Sequence, residues 1–546
     1  MIEITPHFSA AVGLVPPAAL WLAGLVGSRL IVTRPHTVAR LNVAAAWAAL
    51  AAAVCVAAVF ALHPPAAWTA FAVPLPDRMG AFSLSVYIDA VTLVMLLLVS
   101  FVGVIVSRYA RTYMDGDPGQ GRFHLWLMWT LAAILTLIVS GNLLLLALAW
   151  IATSLCLHQL LTFYRERPAA MLAAHKKFVA SRIGDACLLT AVLLIGGTLQ
   201  TFELPEVYAR LATPLQPLPT SLQAAALLIV ASAAMKSAQF PLHGWLIQVM
   251  EAPTPVSALL HAGIVNAGAF LILRMSPLMS QSALALSVLA LIGLTTLALA
   301  SLVMLTQTSI KVSLAWSTTA QMGFMLLECG LGLYSLAMLH LVAHSLYKAH
   351  AFLASGSGVD GFRAPTVRFA EVRIGAARTI AIFGLAAAVA LAVALAFGLD
   401  WRQQPALIAA AAIVTIATAQ LLLQTTAVLG ATAMLRALGL SAAVCVAYYT
   451  LHAAFDALLR GSLAPLRPEA VTAQTWLVPL VIGAFLAMFG AQRFIAAGAS
   501  PLRQQLWVHL YNGLYIDVAI TRFLQRAWPS PTHSAQPTVS TLSTGA

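Results

Sequence analysis

One pattern constrains this chain more than any other. Apolar runs of about twenty residues, the length a helix needs to cross the hydrocarbon core of a bilayer, recur along almost all of it. They predict fifteen transmembrane helices, near 10–28, 41–62, 84–107, 123–140, 142–163, 178–198, 222–250, 255–274, 281–305, 309–329, 333–355, 378–398, 405–426, 438–459 and 473–492. Charged residues make up only 8% of the chain and hydrophobic ones 61%, where about 25% charged is usual for a soluble domain. That balance excludes a soluble enzyme, a disordered chain and a nucleic-acid binder. A barrel is excluded too, because its strands alternate polar and apolar residues and runs such as LAAAVALAVALAFG do not. The expected fold is all-α, a polytopic membrane protein.

The charge that remains gives an orientation. The net charge of +12 comes from 29 Lys and Arg against 17 Asp and Glu, and such an excess in so apolar a chain marks basic cytoplasmic loops. With the N-terminus outside, the inner loops carry Arg29, Arg34, Arg40, Arg108, Arg111, Arg122, Arg165, Arg167, Lys176, Lys177, Lys311, Arg363, Arg368, Arg373 and Arg378. The outer loops carry Arg78, Arg210, Arg274 and Arg402. The odd helix count then puts the C-terminus inside. The expected organisation is N-terminal helices over 1–120, a core over 121–360, C-terminal helices over 361–500 and a segment over 501–546. Residues 501–528 mix aromatics with Arg and Asp, which predicts an amphipathic helix on the inner surface or against a partner. The polar tail 529–546 is expected to be disordered. The N-terminus has neither a basic stretch nor a cleavage site, so no removable signal peptide is expected.

Ionisable side chains at membrane depth cost roughly 2.5–3.5 kcal/mol each on insertion scales, so they are functional candidates. Arg182 and Asp185 lie three apart on one helix face; they are either an ion pair locking two helices or a carboxylate that tunes a neighbouring proton carrier. Lys236 follows an uninterrupted apolar run, and Pro241 soon after it favours a broken helix. Broken spans are tolerated where they line a polar cavity, and a desolvated amine exchanges its proton where a surface lysine stays charged. His243 lies seven residues further on, roughly on the same face, and Glu251 reads as interfacial. His261 is either a hydrogen-bonded core residue or part of a path. His340, His344 and Lys348 are spaced i, i+4, i+8 along one helix stripe, which is either a structural polar seam or a proton relay; His350 falls off it. No dinucleotide, Walker or haem-attachment motif occurs. The scattered cysteines Cys55, Cys156, Cys187, Cys329 and Cys445 indicate neither disulfides nor a metal site. No cofactor is expected.

At these residues the sequence resembles a known superfamily. KSAQFPLHGWLIQVMEAPTPVSALLHAG is similar to the signature of the large antiporter-like subunits of respiratory complex I and of Mrp-type cation/proton antiporters. The likeness extends through FVASRIGD, HSLYKAHAFLASGSG, IDAVTLVMLLLV and SGNLLLLALAW, covering roughly 80–360. It implies two inverted five-helix repeats, each with one broken helix. It places Lys236 on the central broken-helix lysine, His340, His344 and Lys348 on the connecting polar axis, and Asp185 on the acidic partner position.

The departures matter as much. The complex I subunit has a buried Glu where this chain has Ile151, with His158 the one ionisable group nearby. The second broken helix normally brings a second lysine, and IAIFGLAAAVALAVALAFGLDWRQ has none; Asp400 and Arg402 lie at its end. In length and in FPLHGWLIQVMEAPTPVSALLHAGIVNAG the chain most resembles the DabB family, membrane subunits of inorganic-carbon accumulation systems. That resemblance implies a transporter subunit in the cell inner membrane, where the loop charges above put the N-terminus on the periplasmic side and the C-terminus on the cytoplasmic side. It would pass a cation, expected to be H⁺, and drive a DabA-like partner, a zinc protein related to carbonic anhydrases. The zinc would belong to the partner. Competing expectations are a proton-pumping subunit of a redox complex, an Mrp-type antiporter subunit, and an inert membrane anchor. The missing Glu and second Lys weigh against the first two, and the retained polar axis against the third.

Overall fold

The computed structural model describes residues 10–62, 66–76, 79–213, 215, 217–357, 375–398, 405–426, 431–496 and 500–527. The expectations placed on Arg78, Arg363, Arg368, Arg373, Asp400, Arg402 and the tail 529–546 lie outside these residues.

The principal elements run in the order α1 (Val15–Ala23), α2 (Pro35–Phe60), β1 (Ala66–Pro74), β2 (Ala81–Ile88), α3 (Ala90–Tyr113), α4 (Gln120–Val139), α5 (Leu143–Leu161) and α6 (Pro168–Leu199). There follow α7 (Thr220–Lys236), α8 (Gly244–Gln248), α9 (Thr254–Ala262), α10 (Ala267–Arg274), α11 (Ala283–Met304), α12 (Ile310–Gly330) and α13 (Tyr334–Leu353). The chain continues through α14 (Ala376–Ala396), α15 (Ala406–Thr426), α16 (Ala431–Leu459), α17 (Leu477–Ala496), α18 (Pro501–Tyr511) and α19 (Ile516–Ala527). Among the described residues, 11 helices are long and apolar enough to cross a membrane, with Val12–Ala23 and Thr220–Lys236 as shorter apolar helices. Helices α12 and α13 complete the expected set; their polar side chains lower their hydropathy. Helices α11 and α12 cross backbone to backbone, since a Cβ on Gly293 or on Gly323 would stand under 3 Å from the other's carbonyl oxygen. Small residues at such a crossing replace the hydrophobic drive that lipid does not supply.

Two interruptions shape the interior. Helix α7 stops at Lys236, Ala238 takes a left-handed φ of 50°, and Pro241, which has no N–H to donate, precedes the short α8. The next span is also broken: α9 ends at Gly263, a single 3-10 turn covers Ile264–Asn266, and α10 resumes. The counterpart expected to break in the second repeat does not. Helix α14 runs unbroken, because AARTIAIFGLAAAVALAVALA offers neither a proline nor a buried polar group to interrupt its ladder.

Other expectations are corrected. The span expected to start at 84 begins as strand: β1 and β2 form an antiparallel hairpin. FSLSVYI alternates, and its inward Ser83 and Ser85 both donate to the Glu203 carboxylate, which Asn142 also holds at 2.9 Å. Lys176 and Lys177 are not loop residues. Helix α6 starts at Pro168, ten residues before the expected 178, and buries both lysines. Arg274 is not in an outer loop but ends α10 as one of the largest fully buried side chains. Removing these three from the loop tally leaves the excess of inner-loop cations intact. The segment 501–528 is two helices, not one, with left-handed Leu514 and Tyr515 at the joint.

Candidate functional site

The first cluster is built on three helices. SGNLLLL starts α5 because Asn142 caps it, accepting from the N–H groups of Leu144 and Leu145, which sets the register of Trp150 and Ser154. The Lys236 ammonium sits at the broken end of α7, 3.4 Å from the Trp150 carbonyl oxygen and 4.3 Å from the centre of the Trp150 ring. Lys177, from α6, donates to the carbonyl and hydroxyl oxygens of Ser154 at 2.7 and 2.8 Å. Asp185, two turns further along α6, pairs with Arg182 at 2.5 Å. Lys236, Lys177, Asp185 and Arg182 are close enough for their charges to act on one another. The site therefore holds two buried amines against one buried carboxylate, with Trp150 between them.

The second cluster surrounds α13. The expected stripe is present, and His344 and Lys348 are buried on it. Lys348 donates to the Leu314 carbonyl of α12 at 3.0 Å. His340 lies 6.2 Å from His344, ring to ring, and bridges Glu328 at 2.9 Å and Gln321 at 2.6 Å. His261 stands beside the second break, stacked on Phe352 at 4.3 Å, and feels the charge of Lys348. His350 is exposed.

Side chains of the two breaks join the clusters. Ser237, next to Lys236, donates to Val265 at 2.8 Å; Asn266, next to Val265, donates to Ser345 at 2.7 Å; and Ser345 adjoins His344. Buried nitrogens of His261, His243 and His344 and the oxygens of Asn266, Gln239 and Ser257 have no protein partner. Groups of this kind hydrogen-bond to water, and imidazole, amine, carboxylate and water together can hand a proton along. Among the described residues no three His, Cys, Asp or Glu converge to hold a metal ion.

Several placements differ from the sequence reading. His243 does not share a face with Lys236, because the helix is broken between them; it stacks on Phe240 at 3.8 Å and lies 5.0 Å from Trp316. His158 is not the one ionisable group near Ile151, since Lys177 bonds Ser154, three residues on. Lys177 was concealed by the late start assigned to α6; Pro168, favoured in a helix's first turn, was the available signal. Glu328 was passed over although it stands inside an apolar run, MLLECGL. Glu251 is half-exposed beside Arg167, 3.9 Å away.

Comparison with known proteins accords with this geometry. The sequence profile described as NADH:quinone oxidoreductase/Mrp antiporter, TM, matches residues 140–366, and that of complex I chain 5 N-terminus matches 78–124. A chain of the Mrp complex from Dietzia shares the fold, with a TM-score of 0.55 and 25% identity, covering 94% of this chain and 57% of that one. This chain thus spans little more than half of that neighbour. The probable inorganic carbon transporter subunit DabB2 of Halothiobacillus neapolitanus is 47% identical over 83% of this chain and 82% of its own length. The corresponding DabB of Hydrogenovibrio crunogenus is 40% identical over 81% and 83%. With this degree of identity over most of its length, the chain belongs to the DabB family of antiporter-like membrane transporter subunits.

Proposed function

We propose that this chain is the membrane subunit of an inorganic-carbon uptake complex, lying in the cell inner membrane with its N-terminus periplasmic and its C-terminus cytoplasmic. It conducts H⁺ down its gradient and couples that flow to a DabA-like, zinc-bearing partner related to carbonic anhydrases. Hydration of CO₂ on the partner then becomes one-way, and bicarbonate is trapped. The observation that carries this reading is the pair of buried titratable clusters, each at a helix break, linked by Ser237, Asn266 and Ser345. Lys236, Asp185 and Arg182 form one end of the path with Lys177; His261, His340, His344 and Lys348 form the other with Glu328. Redox-linked pumping and cation/proton antiport are disfavoured, because Ile151 replaces the buried acid and α14 brings no second lysine.

The test is uptake of labelled inorganic carbon by cells expressing the chain with its co-purifying partner. Lys236→Ala is expected to abolish protonophore-sensitive uptake at wild-type membrane level while the complex still assembles. Normal uptake by that variant would end the role of Lys236. Metal analysis of the purified complex identifies the partner's zinc, and its absence would remove the carbonic-anhydrase coupling.

A further inference from the structure

Helix α16 carries a second polar stripe. Tyr448, His452 and Asp456 stand at i, i+4, i+8, on one side of the helix, with the same spacing as His340, His344 and Lys348 on α13. The two helices pack together, the start of α13 beside the end of α16, where the Ser335 hydroxyl donates to Asp456 at 3.0 Å. On the facing side the Leu333 N–H donates to the backbone carbonyl of Glu328, the residue whose carboxylate holds His340, at 2.9 Å. His452 and Asp456 also line a cavity of about 530 Å³. It meets the surface at Asp456 and Arg460, whose side chains are 55% and 80% exposed. Deeper in, Nδ1 of His452 and the hydroxyl of Tyr334 are buried with no hydrogen-bond partner. A helix end in open solvent would leave none of its polar groups orphaned, whereas these two lie beneath the surface in the wall of the cavity. Here His452 and Asp456 share the cavity with Leu331 and Leu333, which follow Glu328 at the end of the buried axis.

We propose that this cavity, whose wall includes Leu331 and Leu333 just beyond Glu328, is the outer mouth of the proton path, with Asp456 and His452 as its first carriers. The proposal rests on the conduction reading above and on its orientation, in which α12 rises from the inner loop at Lys311 to the outer face at Gly330. A proton from water binds the Asp456 carboxylate or the His452 imidazole. Water in the cavity passes it on, each molecule accepting one proton as it gives up another, and a proton comes to rest on the Glu328 carboxylate. No electron moves. Asp456 and His452 thereby take a place in the transport route that the stripe on α13 alone does not supply, since that stripe ends at His340, away from bulk water.

The experiment uses the assembled complex in intact cells. His452→Ala and Asp456→Asn are each expected to slow inorganic-carbon uptake about tenfold with membrane levels unchanged, less than the roughly 10²–10⁴-fold a positioned proton carrier contributes because the other carrier remains. Asp456→Glu is expected to keep most of the activity, which loss of a merely structural contact would not predict. In a Cys55→Ser, Cys187→Ser background, His452→Cys is expected to be labelled by a charged, membrane-impermeant thiol reagent added outside, and the background itself to remain unlabelled. Wild-type uptake by His452→Ala and Asp456→Asn, with Lys236→Ala inactive, would overturn the outer mouth and leave the conduction reading standing. Reaction at position 452 from the inner side only would also overturn it. Full uptake by Lys236→Ala would instead remove the reading on which it rests.

Discussion

Asp517 closes the fold across 341 residues of sequence: the Lys176 ammonium stands 2.9 Å from both of its carboxylate oxygens. Gln248 donates to the same carboxylate at 2.7 Å, and the carboxylate rests on Gly244, where any Cβ would collide with it. Helix α19 is thereby clamped over the short helix that follows the Lys236 break. Lys176 is 3% exposed and Asp517 28%, so the pair is sheltered from solvent screening.

Removing one partner of a buried pair strands the other, at a cost of roughly 3–5 kcal/mol. Asp517→Ala is therefore expected to undock α19. Arg522 is exposed on that helix, and a docked helix resists proteolysis, so trypsin added to inside-out vesicles should cut there much faster in Asp517→Ala than in the unaltered chain. Equal rates of cleavage would show that α19 is held by its apolar face alone.

The Asp89–Arg274 pair is buried more deeply, at 1% exposure on each side, with 3.0 Å between the charges. Asp89 also caps α3 through the Thr92 N–H at 2.8 Å. Asp89→Ala loses about 1 kcal/mol of capping as well as roughly 3–5 kcal/mol from the stranded guanidinium. It should lower the thermal midpoint in detergent or deplete the protein from the membrane. The double change Asp89→Leu with Arg274→Met, which leaves no charge behind, should recover most of that loss. A double variant as unstable as Asp89→Ala would mean that the cap, not the charge, dominates.

What the sequence revealed follows from which signals were strong. Apolar runs located every principal span, because a bilayer leaves little choice but helix, and Pro241 announced the first break. The second break, at Gly263, had no proline and went unread. The end of the hairpin, 84–88, falls within an expected span because it is as apolar as a helix end, and 66–83 falls in the expected loop before it; the alternation of Ser83 and Ser85 was the hairpin's signal. Long-range partners were illegible in principle. Nothing in the local sequence of Asp517 says that its partner is Lys176, and nothing near Lys177 names Ser154.

His340 and His344 are expected to act as one unit with Glu328. His340 is held by Glu328, and His344 lies against the His261 backbone, so a gap at either ring interrupts the same route. Single changes to Ala should each lower protonophore-sensitive uptake, and the double change should be no worse than the more damaging single one. Glu328→Gln should resemble His340→Ala. Losses that add fully in free energy would mean that the two histidines serve separate steps.

Ile151→Glu tests why this chain departs from the complex I pattern. Ile151 lies on the flank of α5, half-buried, between Leu148 and Leu155, which are 50% and 43% exposed, and the face that carries Ser154. Position 154 is one turn away on the same side, and there Lys177 donates both of its hydrogen bonds to Ser154. A glutamate is long enough to turn inward from 151 and meet that amine. Unit charges 4 Å apart attract by about 4 kcal/mol at an effective dielectric of 20, which would hold the proton on the amine and draw Lys177 out of its balance with Lys236 and Asp185. If even a third of that attraction is retained at the rate-limiting transfer, uptake falls about tenfold. The expected outcome is therefore strongly reduced uptake at normal membrane level, with much less loss in Ile151→Gln, which has the same shape and no charge with which to hold Lys177. A glutamate that turned toward lipid instead would cost insertion, and the protein would be depleted. An active, fully expressed Ile151→Glu chain would show that the missing acid is incidental and would return the redox-pump reading to contention.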